Sequence, residues 1–146
     1  MSLDVTETNP AYRLGRLFAV LESIQRKALG DGINATIRDR YWGAASATPA
    51  SIFPMLIRNS ANHLGKIRKE NPKLSSFFDW QIGDIEQGLS TCWPKSLSMN
   101  DQGRFAIGYY HQKWTKTIKT KDGKEINNEM AESISDTDAA ADSSDE

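Results

Sequence analysis

Residues 33–67 read INATIRDRYWGAASATPASIFPMLIRNSANHLGKI, and the fold follows from how this run divides. Asn34 can cap a short helix through Ile37, Arg38, Asp39, Arg40, Tyr41 and Trp42. The small residues Gly43-Ala44-Ala45-Ser46-Ala47 suit a tight turn or a close helix crossing. Thr48-Pro49 then restarts a helix, because proline's missing N–H has no partner at the first helical position anyway. That helix is expected to run to about Lys69. Phe53, Leu56, Ile57, Ser60, Leu64 and Ile67 share one of its faces at 3.6 residues per turn. Arg58, Asn62, Lys66 and Lys69 fall almost diametrically opposite. Pro54 removes one backbone hydrogen bond near the start, where it can kink the first turn.

Upstream, Asn9-Pro10 is another cap-plus-proline start. Leu14, Leu17, Phe18, Leu21, Ile24 and Ala28 make one stripe of a helix from Pro10 to Leu29, with Arg16, Ser23 and Lys27 on the other side. Gly30-Asp31-Gly32 ends it. Downstream, Asn71-Pro72 opens a fourth helix with Phe78, Ile82, Ile85 and Leu89 on one face, and with acidic Asp79, Asp84 and Glu86. Trp93-Pro94 closes it. Ser98 with Asp101 resembles a capping box ahead of a fifth helix, Met99 to about Ile118. That helix shows two non-polar faces. One holds Gly103, Ile107, Tyr110, Trp114 and Ile118; the other mixes Phe105, Tyr109 and Gln112 with Lys113 and Lys116. Past Lys121 there is no aromatic residue and little apolar surface to offset ordering entropy, so disorder is expected, with at most a fleeting helix around Met130, Ala131 and Ile134. No strand pattern stands out. The reading is all-α: a flexible lead-in (1–9), a compact bundle of about five helices (10–119) and a disordered acidic C-terminal tail (120–146).

Charge divides the chain the same way. Residues 1–121 carry 17 basic and 10 acidic side chains, a net +7; residues 122–146 carry one and nine, a net −8. A basic body raises the expectation of a polyanion partner, against the plainer reading of a solvated surface. No apolar run is long enough to cross a bilayer, and the first nine residues lack the basic-then-apolar pattern of a secretory signal. Cys92 is the sole cysteine, which excludes an internal disulfide and a paired-cysteine zinc site. It reads as a packed thiol, and a cytoplasmic location is expected.

No active site emerges from the pattern. His63 and His111 sit on different helices without a partner at ligand spacing. Asp79, Asp84 and Glu86 do not fall together on a helix. There is no phosphate-binding glycine loop and no nucleophile elbow. The chain is read as a non-enzyme with no cofactor and no metal. Binding chemistry is better supported. Arg58, Asn62, Lys66 and Lys69, with Arg68 beside them, suit a phosphate backbone, because each cation can neutralise one phosphate. Arg38 and Arg40 offer guanidinium forks for phosphate, or can tie helices together. Phe105 and Tyr109 beside Lys113 and Lys116 are either a base-stacking platform or a surface packed on a neighbouring helix or subunit.

Several blocks also resemble a known family. They are Ala11 to Glu22 (AYRLGRLFAVLE), Ile33 to Tyr41 (INATIRDRY), Ala45 to Pro49, Phe53-Pro54, His63-Leu64, Asn100 to Phe105 (NDQGRF) and Gly108 to Gln112 (GYYHQ). Together they are similar to the C-terminal helical region of the large subunit of type I-C CRISPR Cascade. The chain opens on Met1 and holds only that region, so it resembles the small subunit which that family makes from an internal start. The resemblance implies an all-helical, non-catalytic member of an RNA-guided surveillance complex, present in more than one copy. It would lie beside the large and backbone subunits, near the guide RNA and target DNA, supporting the opened DNA loop and its displaced strand. The acidic tail lies outside the resemblance.

Overall fold

The structure is a computed structural model that describes residues 3–89 and 92–115 and the strand residues 118–119 and 125–126. Five α-helices carry it: α1 Pro10–Leu29, α2 Ile37–Ala47, α3 Pro49–Glu70, α4 Pro72–Glu86 and α5 Met99–Trp114. Two-residue strands β1 Ile118–Lys119 and β2 Glu125–Ile126 pair antiparallel. Periodicity over so few residues is uninformative. Apart from Glu125 and Ile126, the tail expected to be disordered lies outside the described residues.

Local chemistry sets most helix starts. The Asn9 side chain accepts from the Ala11 and Tyr12 amides, and Asn71 accepts from the Leu74 amide. Ser98 accepts from the Asp101 amide. In α2 the cap is Thr36 rather than Asn34. Thr36 and Asp39 close a reciprocal capping box, which fixes the start two residues later than the asparagine reading. The small residues 43–47 do not form a turn; they complete α2, and Ala45 is fully buried. Thr48 leads into α3 without a side-chain cap, and α3 runs on through Pro54.

α1 is the axis of the bundle, touching all four other helices and α5 most extensively. The crossing with α5 is backbone on backbone. A Cβ at Gly15 would stand 2.0 Å from the Phe105 carbonyl oxygen, and one at Gly108 would stand 2.0 Å from that of Tyr12. With α5 this close and α4 alongside, Arg16 is sealed in at 3% exposure instead of facing solvent. The core gathers around Phe18, whose ring lies 5.7 Å from Phe105, 5.8 Å from Trp42, 5.9 Å from Tyr109 and 6.2 Å from Phe53.

α4 ends at Glu86, short of the Trp93-Pro94 stop read from sequence. The Arg13 guanidinium donates to the Ile85 carbonyl at 3.2 Å and the Asp84 carbonyl at 3.4 Å, satisfying carbonyls of the last turn. It also donates to the Glu7 carbonyl at 2.8 Å, tying down the lead-in. The connection to α5 is pinned instead of helical. Ala50 donates to the Pro94 carbonyl, Leu97 to that of Ala47, and Trp93 stacks on Phe53 at 5.2 Å. Cys92, in this connection, is exposed and not a packed thiol.

Candidate nucleic-acid interface

α3 turns Phe53, Leu56, Ser60, Leu64 and Ile67 into the core. The same geometry turns Arg58, Asn62, Lys66 and Lys69 outward, and all four are exposed. Their spacing of four, four and three keeps them on one line, about 6 Å apart per helical step. None of the three cations closes an ion pair with a carboxylate among the described residues. Arg68 sits on the flank of the line and reaches the Asp79 carboxylate of α4 at 3.7 Å. With both side chains more than half exposed, that pair is screened and contributes little. His63 stands at the border of the buried face. Burial, and then the neighbouring Lys66 charge, hold its imidazole below its ordinary pKa.

Of the other sequence candidates, Arg38 and Lys113 are engaged inside the bundle. Arg38 is an internal tie and not an open fork. Its guanidinium donates to the Tyr110 hydroxyl and lies 5.1 Å from the Trp42 ring centre, 5.5 Å from Tyr109 and 5.6 Å from Tyr110. It therefore clamps α2 to α5 through aromatic faces. Arg40 is exposed on α2. Lys113 bends inward, its Nζ 3.2 Å from the Tyr109 hydroxyl and 3.8 Å from Glu22. Lys116 lies outside the described residues. Phe105 and Tyr109 have no exposed surface, so neither stacks a base nor docks a subunit; the packing reading is the correct one for both. Their face is the one that meets α1. Met99, Ile107 and Trp114 face outward instead, with Trp114 60% exposed.

Polar groups inside the α1–α5 seam went unread in the sequence. Glu22 is buried at 2% exposure and accepts from the Tyr109 hydroxyl, with Arg26 at 3.7 Å. Burial first, and the Glu22 carboxylate second, push the Tyr109 hydroxyl well above its ordinary pKa. Arg16 donates to Gln112 at 3.0 Å and lies 3.9 Å from Asp84. Tyr12 and His111 share a hydrogen bond of 2.8 Å. The only advance signal was the repetition of charged and amide residues on two helices rich in glycine and alanine. These groups pair across the seam, although Arg16 Nη1 and Glu22 Oε2 are buried without a hydrogen-bond partner among the described residues, and Asp79 and Asp84 are each drawn to an arginine. Among the described residues no three histidine, cysteine or acidic side chains gather to hold a metal, and no helix is long and apolar enough to cross a membrane.

The arrangement defines a small all-α bundle with one helix face given over to exposed cations. The family model for CRISPR-associated protein (Cas_Csd1) matches residues 1–116. The chain belongs to that family and is a CRISPR-associated protein of the Csd1, type I-C, kind. No curated protein matches it. The match stops before Lys121, so the acidic segment lies beyond the family's shared region.

Proposed function

We propose that the protein is a non-catalytic small subunit of a type I-C Cascade complex, acting in the cytoplasm. There it steadies the opened DNA loop and the displaced strand. The large and backbone subunits and the guide RNA are its partners, in more than one copy per complex. One observation carries this reading: the line of Arg58, Asn62, Lys66 and Lys69 on the outward face of α3. Exchanging a DNA duplex for an RNA–DNA hybrid is nearly balanced in energy, so a few backbone contacts decide whether the loop persists. Contacts of this kind need no sequence reading. In the isolated chain they are weak and fall with salt, because each phosphate neutralised releases counterions.

The test is Arg58→Glu, Lys66→Glu and Lys69→Glu combined in the assembled complex, with unpaired bases of the displaced strand mapped chemically. The expected result is a shortened or short-lived loop with assembly intact. Full loops in the variant would remove α3 as the contact. A second reading, a protein scaffold that does not touch nucleic acid, is favoured by the outward apolar face of α5. Photo-crosslinkers at Asn62 separate the two: adducts to DNA support the first, adducts to protein alone the second.

A further inference from the structure

We propose that the acidic segment 122–146 occupies the α3 cation line of its own chain, as an internal stand-in for nucleic acid. The competition this creates rests on the function proposed above; the intrachain contact does not. The argument starts from which cations remain available. Arg13 and Arg16 are buried. Arg38 is committed to three rings and Lys113 to Tyr109 and Glu22. Arg26, Arg68 and Arg104 each have a carboxylate within 4 Å. Arg40 and Lys95 are exposed on other elements, and Lys27 and Lys73 have partners of their own. Among the described residues, Arg58, Lys66 and Lys69 are the three exposed cations that align on one face without an ion pair.

The complementary charge is in the same molecule. The segment carries nine acidic residues and one lysine, and it lies outside the stretch matched to the family. Its charge is close to the negative of that of the rest of the chain. Reach is not limiting. Its residues 127–146, beyond strand β2, extend to at most about 70 Å, whereas a domain of this size has a radius of gyration near 13 Å. Tethering gives the segment an effective concentration on the order of millimolar at the line, enough for a weak electrostatic contact to be occupied at low salt. A nucleic acid displaces it by offering more closely spaced charge.

The test uses the full chain and zero-length carboxyl-to-amine crosslinking, read by mass spectrometry. Crosslinks from residues 122–146 should concentrate on Lys66 and Lys69, should not grow with protein concentration, and should fade as salt rises. Even distribution over all the lysines, or growth with concentration, would overturn the proposal; the latter would assign the segment to a second copy. A companion measurement uses a fluorescent oligothymidine. Neutralising Glu129, Glu132, Asp136, Asp138, Asp142 and Asp145 to their amides should tighten its binding about three- to tenfold at low salt, the gap closing as the Debye length shrinks. Equal affinity would refute the competition. If no variant binds the oligonucleotide, the functional reading fails, and the crosslink map alone still decides the intrachain contact.

Discussion

At the scale of single residues, two glycines permit the close crossing of α1 and α5. Alanine at Gly15 or Gly108 places a methyl group 2.0 Å from a carbonyl oxygen of the facing helix. Alanine's better helix propensity, about 1 kcal/mol, does not offset the forced separation of α1 from α5. Each substitution should cost about 1–3 kcal/mol net in urea unfolding, the range for overpacked interiors. Gly83, in α4, has nothing within 4 Å of a Cβ. Gly83→Ala should therefore gain up to about 1 kcal/mol. Unchanged midpoints for the Gly15 and Gly108 variants would mean that the helices are further apart than described. Tyr109 supplies a second residue-scale expectation. Its hydroxyl keeps its proton in the fold because burial and Glu22 both disfavour the phenolate. A group whose pKa is raised on folding stabilises fully below its unfolded value, here about 10, and loses that contribution as pH climbs above it. Stability should thus fall more steeply above pH 10 in the parent than in Tyr109→Phe. That variant starts about 1–3 kcal/mol lower at neutral pH, because Glu22 loses a buried donor.

At the scale of elements, helix starts were legible in the sequence and helix ends and faces much less so. Asn9, Asn71 and Ser98 announce α1, α4 and α5 because an N-cap is local chemistry, contained within four residues. The stop of α4 is not local: it depends on Arg13, more than seventy residues earlier, reaching the last carbonyls. The faces of α5 were ambiguous for a different reason. Periodicity finds both the Phe105–Tyr109 stripe and the Ile107–Trp114 stripe, and only the fit of Gly108 against Tyr12 decides which turns inward. The outward cations of α3 were readable because its opposite face is unambiguously apolar. Arg38 stays open in the sequence between a phosphate fork and a helix tie because its partners, Trp42 and Tyr110, come from two helices. Caps can be tested as elements. Asn71→Ala should cost about 1 kcal/mol in thermal unfolding, since it frees a buried amide of α4. Thr48→Ala should stay within about 0.5 kcal/mol, because the Thr48 side chain accepts from no amide of α3 and its bonds to the Ala44 carbonyl and the Ser51 hydroxyl are exposed. Equal losses would show that α3 depends on Thr48 in a way its hydrogen bonds do not reveal.

At the scale of the whole molecule, α1 separates two surfaces of opposite character. α3 presents its cations to solvent, while α5, which barely touches α3, presents Met99, Ile107 and Trp114. A chain with a charged face and an apolar face suits a position between a polyanion and a protein, and the two contacts should respond differently to salt. Apolar burial is not screened by salt, and excluded salts strengthen it, whereas exposed charge contacts weaken once the Debye length falls below their spacing. Ile107→Glu with Trp114→Glu removes apolar surface that is already in water, so the isolated chain should unfold within about 0.5 kcal/mol of the parent. If α5 is the docking face, the same variant should be lost from the assembled complex at every salt concentration. The α3 reversal should remain incorporated and lose only the salt-sensitive hold on DNA. Co-purification with the other subunits at low and high salt reads both. Loss of the α3 variant from the complex, with the α5 variant retained, would exchange the roles of the two faces. The cation line would then be a protein contact, and the nucleic-acid reading would have no surface left to act through.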